Sequence, residues 1–456
     1  MNKDILYKKE TVYKKAGKEV VDAAYAYAEG YKKFLDAAKT EREAVSVTIE
    51  MLKEKNFREY KFGDEIKKGD RLYYNNRGKN LFVFTIGEDV REGLRITASH
   101  VDAPRIDLKQ CPLYEDGGMA FFKTHYYGGI RKYQWVATPL SLHGVVITKD
   151  GSTVEICIGE SDEDPVFYIT DLLPHLGREQ AKLPLSEGIK GEQLNVLLGN
   201  QPDADDDSVK NAVMALINEK YGITEEDFIS SELCVVPAAK ARDIGFDRSL
   251  IGAYGHDDRV CAYPSLTALF ESLDAGCTHS LMCILADKEE TGSDGASGMQ
   301  CDLMLDIMNE IAYAFGVSPA LLRANSKCLS ADVSAGYDPN FPEVFEKMNS
   351  AMVGCGTIFT KYTGSGGKGG TNDANPEYIA WLRAAMEKDG VVWQSAELGK
   401  VDIGGGGTVA KYISKHNIET IDLGVAVIAM HAPYEVVAKV DVYETHRAIK
   451  AFYNFD

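Results

Sequence analysis

The chain has 456 residues, 45% of them apolar and 26% charged, with a formal net charge of −19 at pH 7. That length and apolar share suit a globular protein with a sizeable core in two or three domains. The acidic balance excludes nucleic acid as a partner, because phosphate binding needs a basic face.

The first element is expected to be an amphipathic helix over residues 16–56. Val20, Val21, Ala24, Tyr25, Ala28, Tyr31, Phe34 and Leu35 recur there at helical spacing. Strands follow, the last ending at His100 in LRITASHVDAP. From 108 to 245 the runs become shorter, as in LHGVVIT and STVEICIG, with turn signals and the acidic patch PDADDD. This stretch reads as an inserted β-rich domain. After 246, helical and strand-like segments alternate, as in an α/β domain. The predicted architecture is a mixed-sheet α/β catalytic domain, discontinuous over 1–107 and 246–456, with the insert at 108–245.

Five apolar runs stop at a His, Asp or Glu beside small residues. Besides His100 with Asp102, these are Asp257 and Asp258 in GAYGHDDRV, Glu289 and Glu290 in CILADKEETGSDGASG, Asp332 in KCLSADVSAG, and His431 in IDLGVAVIAMHAP. Taken singly, each has an ordinary structural explanation, such as a solvated Glu pair or an Asp helix cap. Their recurrence at predicted strand ends points to one shared site, because open α/β sheets place sites at the carboxyl ends of strands. None of the five lies inside the insert. Imidazole with carboxylate suits zinc, with cobalt or manganese as alternatives. Five ligands exceed the three of a single catalytic zinc, which a carboxylate shared between two ions about 3.5–4 Å apart would explain. In the Glu289–Glu290 pair, one carboxylate can hold a metal while its neighbour takes a proton from water.

Two glycine-rich runs carry a rival reading. GSGGKGG contains a formal GxGxxG at Gly364, Gly366 and Gly369, the mark of a dinucleotide-binding protein. That reading leaves the His and carboxylate set without a purpose. A Walker loop is excluded, since Tyr362 and Gly369 stand where Gly and Ser or Thr are required. The run Gly404 to Gly407 is expected to let backbone approach a substrate or a neighbouring strand.

The nine cysteines form no CxxC pair, which fits a reducing compartment. The opening residues are polar, and no apolar run is long enough to span a bilayer. Cytoplasmic residence, without a membrane partner, is the expectation.

The strings SHVDAPRIDLK, GHDDR, DKEETGS, SAD and MHAPYEV, in this order, together resemble the M18 family of metalloaminopeptidases. YKKFLDAAKTEREAV and LLPHL look like that family too. The resemblance spans nearly the whole chain. It implies a dinuclear zinc exopeptidase that removes N-terminal residues from peptides, often acidic ones. Carried over, His100, Asp257 and Asp332 would hold one ion, and Asp257, Glu290 and His431 the other, with Asp257 bridging. Glu289 would be the general base, and Asp102 would orient the His100 ring. A related di-metal amidase or deacylase would share this metal set. The resemblance also implies a homo-oligomer, a dodecameric shell, in which the β-rich insert makes subunit contacts and His175 lies near a segment reaching a neighbour's active site.

The match departs from the family near substrate recognition. Ala335 stands where a His is usual, and Gly367 with Lys368 where Arg-Tyr is usual. Lys361 matches a family lysine. Lys361 and Lys368 are therefore the cations left to meet an acidic substrate side chain, and acidic preference stays open.

Overall fold

A computed structural model describes residues 5–205 and 207–456. The chain forms two compact units. One contains residues 1–102, 241–430 and 435–456, and the other residues 103–240 and 431–434.

The first unit is built on a nine-stranded mixed sheet. Its middle consists of four mutually parallel strands, in the spatial order Ser280–Ala286, Leu94–His100, Lys327–Ala331 and Glu419–Gly424. Antiparallel strands Asn80–Thr85 and Thr357–Thr360 flank them. The central strands read as apolar runs because they are covered on both faces, and every residue of Ser280–Ala286 is buried. Alternate residues supply two cores. Leu81, Val83, Leu281, Cys283 and Leu285 pack with residues of helices His256–Asp274, Pro376–Lys388 and Lys439–Asn454 on one face. Phe82, Phe84, Met282 and Ile284 pack with Leu303–Ala314 and Pro319–Asn325 on the other. A three-stranded sheet joins Arg242–Ile244, Leu250–Ala253 and Glu435–Ala438.

The expected single helix over 16–56 is divided. Helix Lys18–Ala37 ends before Thr40, and Glu41–Glu54 begins after it. Thr40 Oγ1 accepts the Glu43 N–H at 3.3 Å, and a Glu43 carboxylate oxygen accepts the Thr40 N–H at 3.0 Å. This capping box restarts the helix, a local signal that the apolar periodicity conceals.

The second unit holds a seven-stranded antiparallel sheet. Ser231–Pro237 pairs with both Arg105–Asp116 and Pro139–Ile147, which closes six of the strands into a ring. The unit boundaries fall after Asp102 and Lys240, where the sequence reading divides the chain at 107/108 and 245/246. Arg105 already pairs with Tyr127 in the second unit's sheet, and Ile244 pairs with Leu250 in the first unit. Among the described residues no helix is long and apolar enough to cross a membrane.

Candidate active site

Strand register assembles the first unit's site. Leu94–His100 lies between two parallel neighbours, with Ala286 opposite His100 on one side. On the other side Ser330 pairs with Ala98, so Asp332, two residues on, arrives level with His100. Glu289 and Glu290 sit on the short 3-10 turn that follows Ser280–Ala286. Gly424 lets the fourth strand pass close by, because a Cβ there would fall 1.8 Å from the Asp332 carbonyl oxygen. Asp257 and Asp258 enter at the start of helix His256–Asp274, joined by a cis peptide bond.

His100 is 2% exposed. Its Nδ1–H donates to the Asp102 carbonyl oxygen at 2.9 Å, with the Asp102 carboxylate 3.3 Å away. In the neutral ring that bond leaves Nε2 as the nitrogen a metal ion would take, and without a cation the same nitrogen carries a proton toward Asp257. Nε2 faces Asp257 Oδ1 at 3.1 Å and Asp332 Oδ1 at 4.0 Å. Burial pulls the His100 pKa down, but the carboxylates of Asp102 and Asp257 outweigh it and hold it well above the usual histidine value. Burial, with Asp258 nearby, pushes Asp332 well above the usual carboxylate range. Asp258 is raised in the same direction, first by burial.

Asp102 is fully buried, and its carboxylate does a second job. Oδ1 accepts the Glu289 backbone N–H at 3.1 Å, and Oδ2 accepts that of Glu290 at 3.2 Å. One side chain therefore holds the turn carrying both glutamates and lies against the His100 ring.

Ligand atoms of His100, Asp257 and Glu290 lie within 4.8 Å of one another, as do those of His100, Asp258 and Asp332. An imidazole acceptor nitrogen ringed by buried carboxylate oxygens is a donor set that suits a zinc ion. It supplies the negative charge that a buried cation needs. Zinc therefore fits the residues present.

The remaining expected residues belong to other segments. His431 belongs to the second unit, where its Nδ1–H donates to the Gly129 carbonyl oxygen at 2.9 Å, again leaving Nε2 as acceptor. His175 is exposed on a turn of that unit. Lys361 and Lys368 do come together, but on a carboxylate. Lys361 bonds Asp373 Oδ1, Lys368 Nζ lies 3.2 Å from Asp373 Oδ2, and Lys368 Nζ also sits 3.7 Å above the Tyr362 ring. Ala335 ends a short two-residue strand. A cavity of about 400 Å³ is lined by Tyr362, Lys368, Glu397, Leu398 and Lys400 between the two glycine-rich runs. Gly405, at φ +124°, approaches Ser365 so closely that a Cβ would fall 2.6 Å from its backbone. The close approach there is to a neighbouring loop. The formal GxGxxG does not open a helix, since the next one begins at Pro376, and a dinucleotide fingerprint requires that junction.

Two further carboxylates hold backbone groups of the site, of which the sequence reading named Asp258 as a candidate and passed over Glu435. Asp258 Oδ2 accepts the His100 backbone N–H at 3.2 Å. Glu435 Oε2 accepts the Asp257 backbone N–H at 3.0 Å. Spacing in GHDDR does not separate Asp258 from Asp257 as a ligand. Glu435 carried no signal beyond its place in MHAPYEV.

A donor set of this kind, at the carboxyl ends of parallel strands, is that of an α/β metallohydrolase. The family described as aminopeptidase I zinc metalloprotease (M18) matches residues 34–453. A probable M18 family aminopeptidase 1 of Clostridium acetobutylicum is 48% identical, with 100% of both chains covered. The crystal structure of an M18 family aminopeptidase from Thermotoga maritima superposes with a TM-score of 0.94 at 40% identity, covering 99% of this chain and 100% of that one. The yeast mApe1 dodecamer shares the fold at 22% identity and a TM-score of 0.77, over 93% and 96% of the two chains. The chain belongs to the M18 family of zinc metalloproteases and is a metalloaminopeptidase.

Proposed function

We propose that the chain is a dinuclear zinc aminopeptidase whose base and ligands are set by Asp102. The observation that carries this reading is the Asp102 carboxylate, which accepts both the Glu289 and Glu290 N–H groups beside His100. His100, Asp257 and Asp332 would hold one ion. Asp257, Glu290 and His431 would hold the other, with His431 assigned on its motif and its acceptor Nε2. The two groupings around His100, Asp257 with Glu290 and Asp258 with Asp332, and the approach of Asp257 and Asp332 to His100 Nε2 support both as ligands beside one imidazole nitrogen. Zinc, when bound, polarises the scissile carbonyl and makes water more acidic. Glu289 takes the proton of the attacking water and passes it to the leaving amine of the peptide. Asp102 keeps the His100 tautomer and the Glu289 backbone in place throughout.

The second unit is proposed as the oligomerisation domain of a homo-oligomer. Leu172, Leu173, Leu176, Leu183 and Leu185, around His175, are 45–70% exposed. Apolar exposure of that extent marks a surface for another chain. A dodecamer is the proposed assembly, by analogy with the yeast protein of the same fold. Cytoplasmic residence is proposed from the nine cysteines, none of which stands in a CxxC pair. For specificity, the Asp373 carboxylate between Lys361 and Lys368 supports a preference for neutral N-terminal residues.

The test is a panel of aminoacyl chromogenic substrates, with and without a chelator, run beside elemental analysis. Two zinc ions per chain, chelator-sensitive release of N-terminal residues and loss of activity in E289Q would support the reading. One ion per chain with full activity would refute it.

A further inference from the structure

We propose that Glu435 is a positioning residue for the aminopeptidase reaction, aiming the Asp257 carboxylate by accepting the Asp257 backbone N–H. This rests on the reading of Asp257 as a metal ligand.

The geometry is local and closed. Strand Leu250–Ala253 pairs antiparallel with Glu435–Ala438, and the register places Glu435 opposite Ala253. Beyond Ala253 the chain turns at Gly255, with φ +73°, and enters His256 and Asp257. The Glu435 side chain spans that turn and accepts the Asp257 N–H at 3.0 Å. Glu435 is 1% exposed and Asp257 3%. The residue before Asp257 in the turn is held as well. His256 Nδ1 accepts the Tyr31 hydroxyl at 2.8 Å, and its Nε2–H donates to the Ile251 carbonyl oxygen at 3.2 Å.

The turn thus delivers Asp257 with its own N–H bonded and the side chain before it held at both ring nitrogens. A ligand carboxylate rotates about its own side-chain torsions, so its direction depends on how firmly the backbone beneath it is held. Outer partners of metal ligands typically change metal affinity by roughly 10–100-fold when removed. A hydrogen bond to a charged acceptor is among the stronger ones available in a protein interior.

Reach and charge can be separated at this position. Glu435→Asp keeps the charge and withdraws the oxygens by about one carbon–carbon bond, roughly 1.5 Å, which takes them beyond hydrogen-bond range. Glu435→Gln removes the charge and keeps an acceptor at the same distance. The assay is a zinc titration of each metal-free full chain against a competing chelator, with thermal unfolding of the same samples. Glu435→Asp should weaken zinc binding roughly 10–100-fold, while Glu435→Gln should stay within about threefold of the parent chain. Wild-type affinity in Glu435→Asp overturns the proposal. So does equal weakening in both variants, which would make charge the operative property. Loss of cooperative unfolding in the metal-free Glu435→Asp chain overturns it too, by making Glu435 a folding residue. Absence of zinc binding by the parent chain would instead refute the ligand reading of Asp257, a separate failure.

Discussion

Asp102 Oδ1 accepts the backbone N–H of Glu289 at 3.1 Å, although the two residues are 187 positions apart. The proposed base is thus oriented through the carboxylate that also lies 3.3 Å from the His100 ring. Asp102→Asn keeps the size but sets an amide NH2 against one of the two N–H donors. We expect kcat to fall about 10²-fold and zinc affinity to fall roughly 10–100-fold. Steady-state kinetics with zinc titration checks both, and wild-type values for both would dissociate Asp102 from the site.

Glu289→Gln preserves shape and removes proton acceptance. Zinc content should stay at the parent value while kcat drops about 10²–10⁴-fold. Near-normal turnover in the metal-loaded variant would remove Glu289 from the role of base.

Asp257→Asn and His431→Ala should differ in metal stoichiometry. With Asp257 as the proposed bridge between two ions, Asp257→Asn should lower occupancy of both, whereas His431→Ala should lower one. Elemental analysis after dialysis at a fixed zinc concentration reads the difference. Equal losses in the two variants would contradict Asp257 as the bridge.

Lys368→Ala should leave the ranking of acidic against neutral substrates within about twofold, because its ammonium is already held by Asp373 and the Tyr362 ring. Asp373→Asn should move kcat/KM toward Asp and Glu substrates by releasing both lysines. A selective loss of acidic substrates in Lys368→Ala would place that lysine against the substrate.

Asp441 accepts the N–H groups of Gly354 and Gly356 at 2.6 and 2.7 Å. Burial nevertheless pushes its carboxyl up to about 7. A carboxyl raised on folding contributes stability that is complete below its unfolded value, near about 3.9. That contribution is lost as pH rises through the folded value. The parent chain should therefore lose stability relative to Asp441→Asn between pH 4 and 7, and the difference should level off above 7. Denaturant unfolding of the metal-free chains across that range measures it, and a pH-independent difference would contradict the shift.

The local pattern of the chain determined which residues end strands. His100, Glu289, Glu290 and Asp332 are legible because a buried parallel strand must be apolar throughout and becomes polar where it leaves the sheet. The ordered set of motifs carried the family, and with it the mixed α/β fold. Helix boundaries were less legible, since Ala38–Thr40 interrupts a run whose apolar spacing continues across it, and only the Thr40–Glu43 capping box marks the break. The edge of the inserted unit shifted for a similar reason, because Arg105–Asp107 is a strand of the closed sheet whose partners lie far along the chain. What only the tertiary structure decided is who supports whom. Asp102 reaching two backbone N–H groups, Glu435 reaching Asp257, and Asp373 standing between Lys361 and Lys368 are contacts set by strand register and loop packing. No spacing along the chain encodes them, because hydrogen bonds across a sheet end depend on three-dimensional neighbours, whereas residue type and periodicity report only each segment's own burial.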